Sequence, residues 1–251
     1  MSEPTTYALD KGIATITLNH PDNRNALSTE LLNSLGDNLE ESMQSDHVRV
    51  IVLTNEGNTF CAGADLKGGG VNVPSRYSLV DIFQLMMDGP KPVVGKIAGH
   101  CMGGGVGLAA ACDISIAADD AMFGFTEVRI GVAPAIISVV VLPKMRRADA
   151  LELFLSGERI PASRAVHVGL INAAAPRESL DDTTDEFLTK IAAGGPLALA
   201  AAKELIYKVP SAARDEAFKW TAKLSSELFR SDEAAEGMKA FRERSMPPWS
   251  G

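Results

Sequence analysis

The sequence predicts an α/β protein that continues into a region of helices alone. Three β-rich apolar segments, at 12–18, 48–54 and 92–98, indicate strands, and amphipathic segments between them indicate helices. This alternation ends at about residue 175, and from Asp181 onward the pattern indicates only helices. An α/β core followed by a helical appendage is the simplest fold that accounts for both parts.

The N-terminal elements follow from alternation and from helix capping. Gly12 to Leu18 alternates and is rich in β-formers, which predicts a strand. Residues 19–25 form a polar loop that contains proline, and Ser28 can cap a helix that runs to about Gln44. The apolar face of that helix carries Leu31, Leu32, Leu35, Leu39 and Met43. Val48 to Thr54 gives the second strand.

The middle of the chain continues the alternation. Lys67 to Ser78 is rich in glycine and has no regular period, which predicts a loop. The elements that follow are a helix at 79–87 that stops before Gly89-Pro90, a strand at 92–98, a helix at 106–111, a strand at 113–117 and a helix at 148–155 that Gly157 ends.

The sequence pattern of the C-terminal part predicts four helices, at 181–193, 196–209, 212–229 and 232–244. In the third of these, one stripe at helical spacing consists of Ala217, Trp220, Thr221, Leu224 and Leu228. Because such a stripe must be buried, it packs either on the core or on another subunit. We place the boundary between core and appendage after residue 195.

Composition limits the class of protein. The chain has 251 residues, which suits one sizeable domain or a domain with an appendage. Its net charge of −8 argues against nucleic acid as a partner, although one local cluster of Arg or Lys can still hold a phosphate. The longest apolar stretch, Ala133 to Leu142, is interrupted by Pro134 and is too short to span a bilayer, so we expect no membrane partner.

The cysteines and the N-terminus indicate the compartment. Cys61, Cys101 and Cys112 are odd in number, have no metal-ligand spacing and lie in apolar or glycine-rich surroundings. We interpret them as small buried hydrophobic residues, with no metal site and no disulfide framework. Met1 to Tyr7 lacks the basic start and apolar run of a signal peptide, so we expect a cytoplasmic protein.

Two small-residue stretches carry the chemistry: Phe60 to Leu66, and Gly103-Gly104-Gly105 about forty residues later. Each follows an apolar strand pattern and is predicted to lead into a helix, whose first N–H groups have no partner within the helix. Two such amides that converge would bind a negatively charged oxygen. The pair therefore indicates enolate chemistry, and the alternative is that the triglycine is only a flexible turn or a tight packing point.

Motifs in the same order along nearly the whole chain carry a family resemblance. They are Gly12-Ile13-Ala14, Asn23-Arg24-Asn25-Ala26-Leu27, Phe60 to Leu66, Ile97 to Gly105, Cys112-Asp113-Ile114, Phe123 to Glu127, Gly131 to Pro134, Asp232-Glu233, Glu236-Gly237, Ala240-Phe241 and Pro248-Trp249. In these motifs the chain resembles the crotonase superfamily, also called the enoyl-CoA hydratase/isomerase family.

The resemblance implies a fold and partners. The expected fold is α/β, a crotonase-type spiral of ββα units with a C-terminal helical oligomerisation region. Residues 1–195 would form the spiral core with the acyl-CoA site, and residues 196–251 the helices that pack against neighbouring subunits in a trimer or a dimer of trimers. The expected substrate is an acyl-coenzyme A thioester, so coenzyme A is part of the substrate and no separate cofactor is implied.

The resemblance also implies site residues. The oxyanion-binding amides carry over to Ala62 and Gly104. The coenzyme A contacts carry over to Arg24, Ala26, Ala64, Asp65 and Leu66. For Arg24 the alternative is a solvated loop charge, and for the carboxylate of Asp65 we favour a helix cap.

One position departs from the family pattern, and it concerns the acids. The two-acid hydratases of the family carry their first glutamate where this chain has Gly107, and no acid occurs between Asp88 and Asp113. The second acid carries over to Glu127, which we expect to be partly desolvated, with a raised pKa, beside Phe123, Phe125, Val128 and Ile130. The alternative for Glu127 is an exposed loop residue, and for His100 we favour a structural, hydrogen-bonded role.

These observations predict an enoyl-CoA hydratase that acts on short or branched 2-enoyl-CoA thioesters with Glu127 as its only acid/base. The missing first acid keeps open an enoyl-CoA Δ-isomerase, which moves one proton between the α and γ carbons. A non-catalytic acyl-CoA-binding protein, in which Gly107 marks a decayed site, is the third alternative.

Overall fold

The computed structural model describes residues 3–66 and 75–250. Its strands are β1 (Thr5–Asp10), β2 (Ile13–Leu18), β3 (Val50–Asn55), β4 (Thr59–Cys61), β5 (Val93–Ile97), β6 (His100–Met102), β7 (Ile114–Ala118), β8 (Met122–Gly124), β9 (Arg159–Pro161) and β10 (Ala173–Ala175). Its α-helices are α1 (Thr29–Gln44), α2 (Leu79–Asp88), α3 (Gly104–Ala111), α4 (Ala135–Val141), α5 (Arg147–Ser156), α6 (Ala162–His167), α7 (Leu180–Ala192), α8 (Pro196–Lys208), α9 (Arg214–Phe229) and α10 (Asp232–Glu243).

The strands form two sheets. The six-stranded sheet has the order β1-β2-β3-β5-β7-β10, and the four-stranded sheet has the order β4-β6-β8-β9. Among the strand pairs of the described residues, β1–β2 and β8–β9 are antiparallel and the others are parallel. Along the chain, β3, β5 and β7 of the first sheet are each followed by a short strand of the second sheet, β4, β6 and β8, and then by α2, α3 and α4. This repeat confirms the ββα arrangement that the resemblance implies.

The large sheet is buried on both faces. Leu31, Leu35 and Leu39 of α1 pack in the main core with Ile51 and Leu53 of β3. On the other face, α7 contributes Leu180 and Leu188 to a smaller cluster. Its other members are Val50, Val52, Val94, Ile116 and Ala118 of the sheet. Burial from both sides explains why all six residues of β3 are buried and why its sequence is almost continuously apolar.

Charged side chains join α8 to this core and α10 to α8. Lys203 of α8 is buried, and its Nζ forms an ion pair with Asp113 at 2.8 Å and donates to the carbonyl oxygens of Met86 (2.5 Å) and Lys91 (2.9 Å). The carboxylate of Glu233 on α10 accepts from the Leu197 and Ala198 amides at the start of α8. In contrast, no residue of α9 is buried in the single chain.

Most long elements predicted from the sequence are confirmed. Ser28 caps α1 through a 3.3 Å bond from the Leu31 amide, and Gly157 ends α5 in a left-handed conformation. The helix after the triglycine begins at Gly104 rather than at Val106. The sequence reading missed β1, the short strands β4, β6, β8, β9 and β10, and the helices α4 and α6.

The structure tests two other predictions only in part, the loop at 67–78 and the absence of a membrane-spanning segment. Of the loop predicted at 67–78, residues 67–74 lie outside the described residues, and 75–78 lead into α2 without regular structure. Among the helices in the described ranges, none is long and apolar enough to cross a membrane.

Candidate active site

The two small-residue stretches lie side by side because the strands that precede them are neighbours. β4 pairs with β6 in parallel, with Cys61 opposite Cys101. Both stretches therefore begin at the same edge of the small sheet. Gly63 has φ +89°, and a Cβ atom added there would lie 2.9 Å from the Met102 carbonyl oxygen and 3.3 Å from the Gly104 nitrogen. Only a glycine at 63 allows this approach of the two backbones.

The Gly104 amide is one of the unpaired donors at the start of α3. Gly103 precedes the helix with φ +51°, and its carbonyl oxygen accepts from the Val106 and Gly107 amides. The Gly104 N–H itself has no acceptor within the described residues. An N–H at this position is available to an oxygen anion and benefits from the positive end of the helix.

The prediction that Ala62 supplies the second amide is wrong. The Ala62 N–H donates to the Arg24 carbonyl oxygen at 3.0 Å, and the Gly63 N–H faces the Cys61 sulfur at 3.4 Å. These two amides already hold the loop and the turn in place. The next amide, that of Ala64, has no acceptor in the part of the chain that the structure describes. The first amide of this stretch after Cys61 that is available to a ligand is therefore that of Ala64.

Glu127 lies directly beside the triglycine. It belongs to a 3-10 turn, Thr126–Ile130, that follows β8. A Cβ atom added to Gly103 would lie 2.9 Å from Glu127 Oε1, so the glycine leaves the room that the carboxylate occupies. The structure thus brings Glu127 next to the residue that precedes the Gly104 amide.

The surroundings of Glu127 change its acidity. Glu127 Oε2 is buried and has no hydrogen-bond partner among the described residues. Burial raises the pKa of the Glu127 carboxyl above its ordinary value, and a hydrogen bond from its own backbone amide opposes this in part. Phe123 and Phe125 are buried as predicted, whereas Ile130 is 60% exposed.

Apolar side chains fill the space beside Gly107, the position at which the first acid is missing. A Cβ atom added to Gly107 would lie 2.6 Å from Ile137 Cγ2 and 2.7 Å from Phe83 Cζ. Such distances are far shorter than real carbon–carbon contacts, so no side chain fits at 107 unless these neighbours move. Among the residues described around α3, Glu127 is the acid that lies against the glycine segment.

The loop that carries Arg24 and Ala26 runs along the first stretch. Leu27 forms a bridge to Ala64, and its amide donates to the Gly63 carbonyl oxygen at 2.8 Å. Arg24 is exposed, in a left-handed conformation, and Ala26 is buried. The loop thus runs beside residues 62–66, where Leu66 is 71% exposed.

Asn25 is a residue whose role the sequence reasoning missed. Its side chain is fully buried; Nδ2 donates to the carbonyl oxygens of Thr59 (2.8 Å) and Glu56 (3.1 Å), and Oδ1 accepts from the His20 amide at 2.7 Å. Asn25 thereby fixes the loop on the strand that leads into the first stretch. The available signal was an asparagine between the polar loop and the helix cap, a residue type that tolerates the φ of +51° seen here.

The side chains of His100 and His167 lie in different surroundings. His100 Nδ1 accepts from the Met122 amide at 3.1 Å, which joins β6 to β8 and confirms the structural role favoured above. His167 is exposed at the end of α6.

Comparison with known proteins decides the family. The profile of the enoyl-CoA hydratase/isomerase family matches residues 8–251. The chain belongs to the enoyl-CoA hydratase/isomerase family. It is 34% identical over 252 residues to a Bacillus subtilis (strain 168) protein named "Probable enoyl-CoA hydratase", with 97% of each chain covered.

Solved structures of the enoyl-CoA hydratase/isomerase family share the fold. An enoyl-CoA hydratase from Mycobacterium smegmatis is similar with a TM-score of 0.92 at 29% identity, over 100% of both chains. An enoyl-CoA hydratase from Mycobacterium tuberculosis H37Rv gives a TM-score of 0.90 at 32% identity, over 98% of both chains. The family resemblance and the crotonase-type α/β fold are therefore confirmed, and the family acts on acyl-CoA thioesters.

Proposed function

We propose that this protein is an enoyl-CoA hydratase that adds water to a short or branched 2-enoyl-CoA thioester, with Glu127 as its single acid/base. The observation that carries the proposal is the half-buried Glu127 carboxylate, whose Oε1 lies against Gly103 beside the unpaired Gly104 amide. The raised pKa of Glu127 suits a group that both takes and gives a proton. The names of similar proteins support hydration as the reaction.

The two available amides would hold the thioester oxygen. The Ala64 and Gly104 N–H groups donate to the carbonyl oxygen, which becomes negatively charged when water attacks the β carbon. Donors that are already in place stabilise that charge without reorganisation, and one of them is worth about 3 kcal/mol. Because these donors belong to the backbone, the glycines at 63, 103 and 104 determine whether the oxygen can approach.

The proton balance needs only one carboxylate. The Glu127 carboxylate accepts a proton from water while the water oxygen bonds to the β carbon and the electrons of the C=C bond move onto the thioester oxygen as an enolate. When the enolate collapses, the carboxylic acid gives that proton to the α carbon. The product is a 3-hydroxyacyl thioester, and Glu127 returns to its starting state.

The remaining contacts concern coenzyme A. We assign its nucleotide to the surface along Arg24 and Ala26 and along Ala64, Asp65 and Leu66, with Arg24 as the partner of a phosphate. Coenzyme A is then part of the substrate, and the proposed chemistry uses no further cofactor. A homotrimer or a dimer of trimers, a cytoplasmic location and the division at residue 195 remain predictions.

An enoyl-CoA Δ-isomerase is the second candidate, and Gly107 favours it. An isomerase needs one group that carries a proton between the α and γ carbons, and Glu127 meets that need alone. Hydration, in contrast, is helped by a second acid that holds the water, and hydrocarbon fills that place here.

The test is the hydration of crotonyl-CoA, followed by loss of the conjugated thioester absorbance. We expect wild-type turnover and a loss of at least about a hundredfold in kcat for Glu127→Gln, which is in the range for one acid/base group. Glu158→Gln is the matched control because Glu158 is exposed, and it should keep wild-type activity. Equal turnover by wild type and Glu127→Gln would refute the assigned role of Glu127.

The same assay separates the alternatives. A wild type that does not hydrate crotonyl-CoA but converts a 3-enoyl-CoA would establish the isomerase. Tight acyl-CoA binding without turnover of either substrate, unchanged in Glu127→Gln, would establish a binding protein.

A further inference from the structure

Two glycines at the start of α3 have contrasting neighbours, a carboxylate at one and hydrocarbon at the other. Gly103 is the non-helical residue that precedes the helix (φ +51°, ψ −118°), and Gly107 lies about one turn into the helix. At Gly103 the nearest atom to an added Cβ is Glu127 Oε1, and at Gly107 the nearest atoms belong to Ile137 and Phe83. A carboxylate therefore lies against the residue that precedes α3, and a hydrocarbon pair lies against the first turn of the helix.

The hydrocarbon pair is a packed part of the core. Phe83 of α2 is 4% exposed and Ile137 of α4 is 3% exposed, and both approach Gly107 closely enough to exclude a side chain. They come from two different helices, so the space beside Gly107 is closed from two sides. Neither side chain can accept a hydrogen bond from water or compensate a charge.

This arrangement determines what the neighbouring carboxylate can do. A second acid at position 107 would project from the first turn of α3, while Glu127 contacts Gly103 just before that helix, and it would hold a water molecule from a second direction. With Phe83 and Ile137 in that place, a water molecule or a polar acyl substituent on this side finds no partner, and its desolvation is not compensated.

We propose that Phe83 and Ile137 are specificity-determining residues that occupy the place of a second acid, leave Glu127 as the only proton relay, and select acyl groups that present hydrocarbon to these two side chains. The substrate class is then a 2-enoyl thioester with an unsubstituted or alkyl-branched chain, not one with a hydroxyl or carboxylate near the β carbon. This inference rests on the proposed hydratase function.

The test is a double-mutant cycle that combines Gly107→Glu with Phe83→Ala. In the wild-type background Gly107→Glu should lower Tm by at least about 4 °C, because the side chain has no room. In the Phe83→Ala background the same change should cost a smaller Tm shift, because one of the two side chains that crowd position 107 is gone. Phe83→Leu replaces Phe83→Ala if the latter does not fold.

The cycle also has an activity readout. Gly107→Glu with Phe83→Ala should hydrate crotonyl-CoA at least about tenfold faster than the matched pair Gly107→Gln with Phe83→Ala, since only the first supplies a second acid. Phe83→Ala alone should lower the ratio of kcat/KM for crotonyl-CoA to kcat/KM for an enoyl-CoA that carries a terminal carboxylate.

The outcomes separate this inference from the proposed function. The role of Phe83 and Ile137 would be overturned, even in an active enzyme, if the Tm losses of Gly107→Glu and Phe83→Ala simply added in the double variant. It would also be overturned if Gly107→Glu and Gly107→Gln, each combined with Phe83→Ala, hydrated crotonyl-CoA at the same rate. If the wild type does not act on crotonyl-CoA, the proposed function fails, while the Tm cycle still decides whether these two side chains exclude an acid.

Discussion

At Gly104 a single N–H group supports the proposed chemistry, and proline can remove it. Gly104 is the first residue of α3, where proline is tolerated because its missing N–H has no helical partner. We expect Gly104→Pro to lose about 10²–10³ in kcat relative to Gly104→Ala, which adds a Cβ but keeps the amide. Both variants push against Leu27 Cδ1, so the comparison cancels that crowding and reports the replacement of the N–H by a ring carbon. Equal kcat values for the two would exclude this amide as an oxyanion donor.

Glu127 should weaken the fold while it serves the chemistry. Its pKa in the folded protein is raised above the ordinary 4.5, so the ionised carboxylate is disfavoured in the folded state at neutral pH. That penalty is present above the raised pKa and disappears as the pH falls through it towards 4.5. Glu127→Gln should therefore have a Tm on the order of 2 °C above wild type at pH 8, and the difference should shrink near pH 4.5. A gain in Tm that is constant over this range would contradict the explanation.

The sequence predicted some site residues and not others for a physical reason. Glu127 and the Gly104 amide were carried over from the family resemblance, whose motifs at these positions are local: an acid after an aromatic segment, and a glycine at the start of a helix. The choice between Ala62 and Ala64 depends on a hydrogen bond to Arg24, which lies 38 residues away in the sequence. Such a contact leaves no local signature. The residue type of Asn25 was a local signal, but its buried role depends on the carbonyl groups of Glu56 and Thr59, more than thirty residues away.

At the scale of elements, the number of residues in a strand or helix decided whether the sequence could predict it. Strands of five or six residues, such as β2, β3, β5 and β7, have visible periodicity, and so do the long helices. β4, β6, β8, β9 and β10 have three residues each, too few to show alternation. β1 had a readable signal: Lys11 and Gly12, with φ of 46° and 79°, form the two-residue turn of a β1–β2 hairpin.

The start of α8 depends on a side chain from another helix. Glu233 of α10 accepts from the Leu197 and Ala198 amides, at 2.9 and 3.0 Å, and Gly195 leaves room for its carboxylate. Glu233→Ala removes this cap and should destabilise the fold by about 1 kcal/mol, a Tm loss of about 2–4 °C. Glu236→Ala, an exposed position on the same helix, is the control and should leave Tm nearly unchanged. Equal Tm values for the two variants would show that the cap contributes nothing.

At the scale of the whole molecule, the ββα repeat places the two glycine-rich stretches at one edge. Parallel strands of the small sheet end together, so β4, β6 and β8 deliver the Ala62–Ala64 turn, the triglycine and the Glu127 turn to the same place. Apolar side chains of the last two helices stay uncovered in the single chain: Phe218 and Phe229 of α9 and Phe241 of α10 are 69%, 72% and 85% exposed. This exposure is consistent with the predicted oligomer, in which a neighbouring subunit covers them.

The central claim is that Glu127 alone moves a proton between water and the α carbon. The most direct measurement is the proton NMR spectrum of the product formed from crotonyl-CoA in deuterated water. We predict that wild type gives 3-hydroxybutyryl-CoA with one deuterium at the α carbon, and that Glu127→Gln gives at least about a hundredfold less in the same time. Wild-type product without deuterium at the α carbon, or comparable product from Glu127→Gln, would contradict the claim.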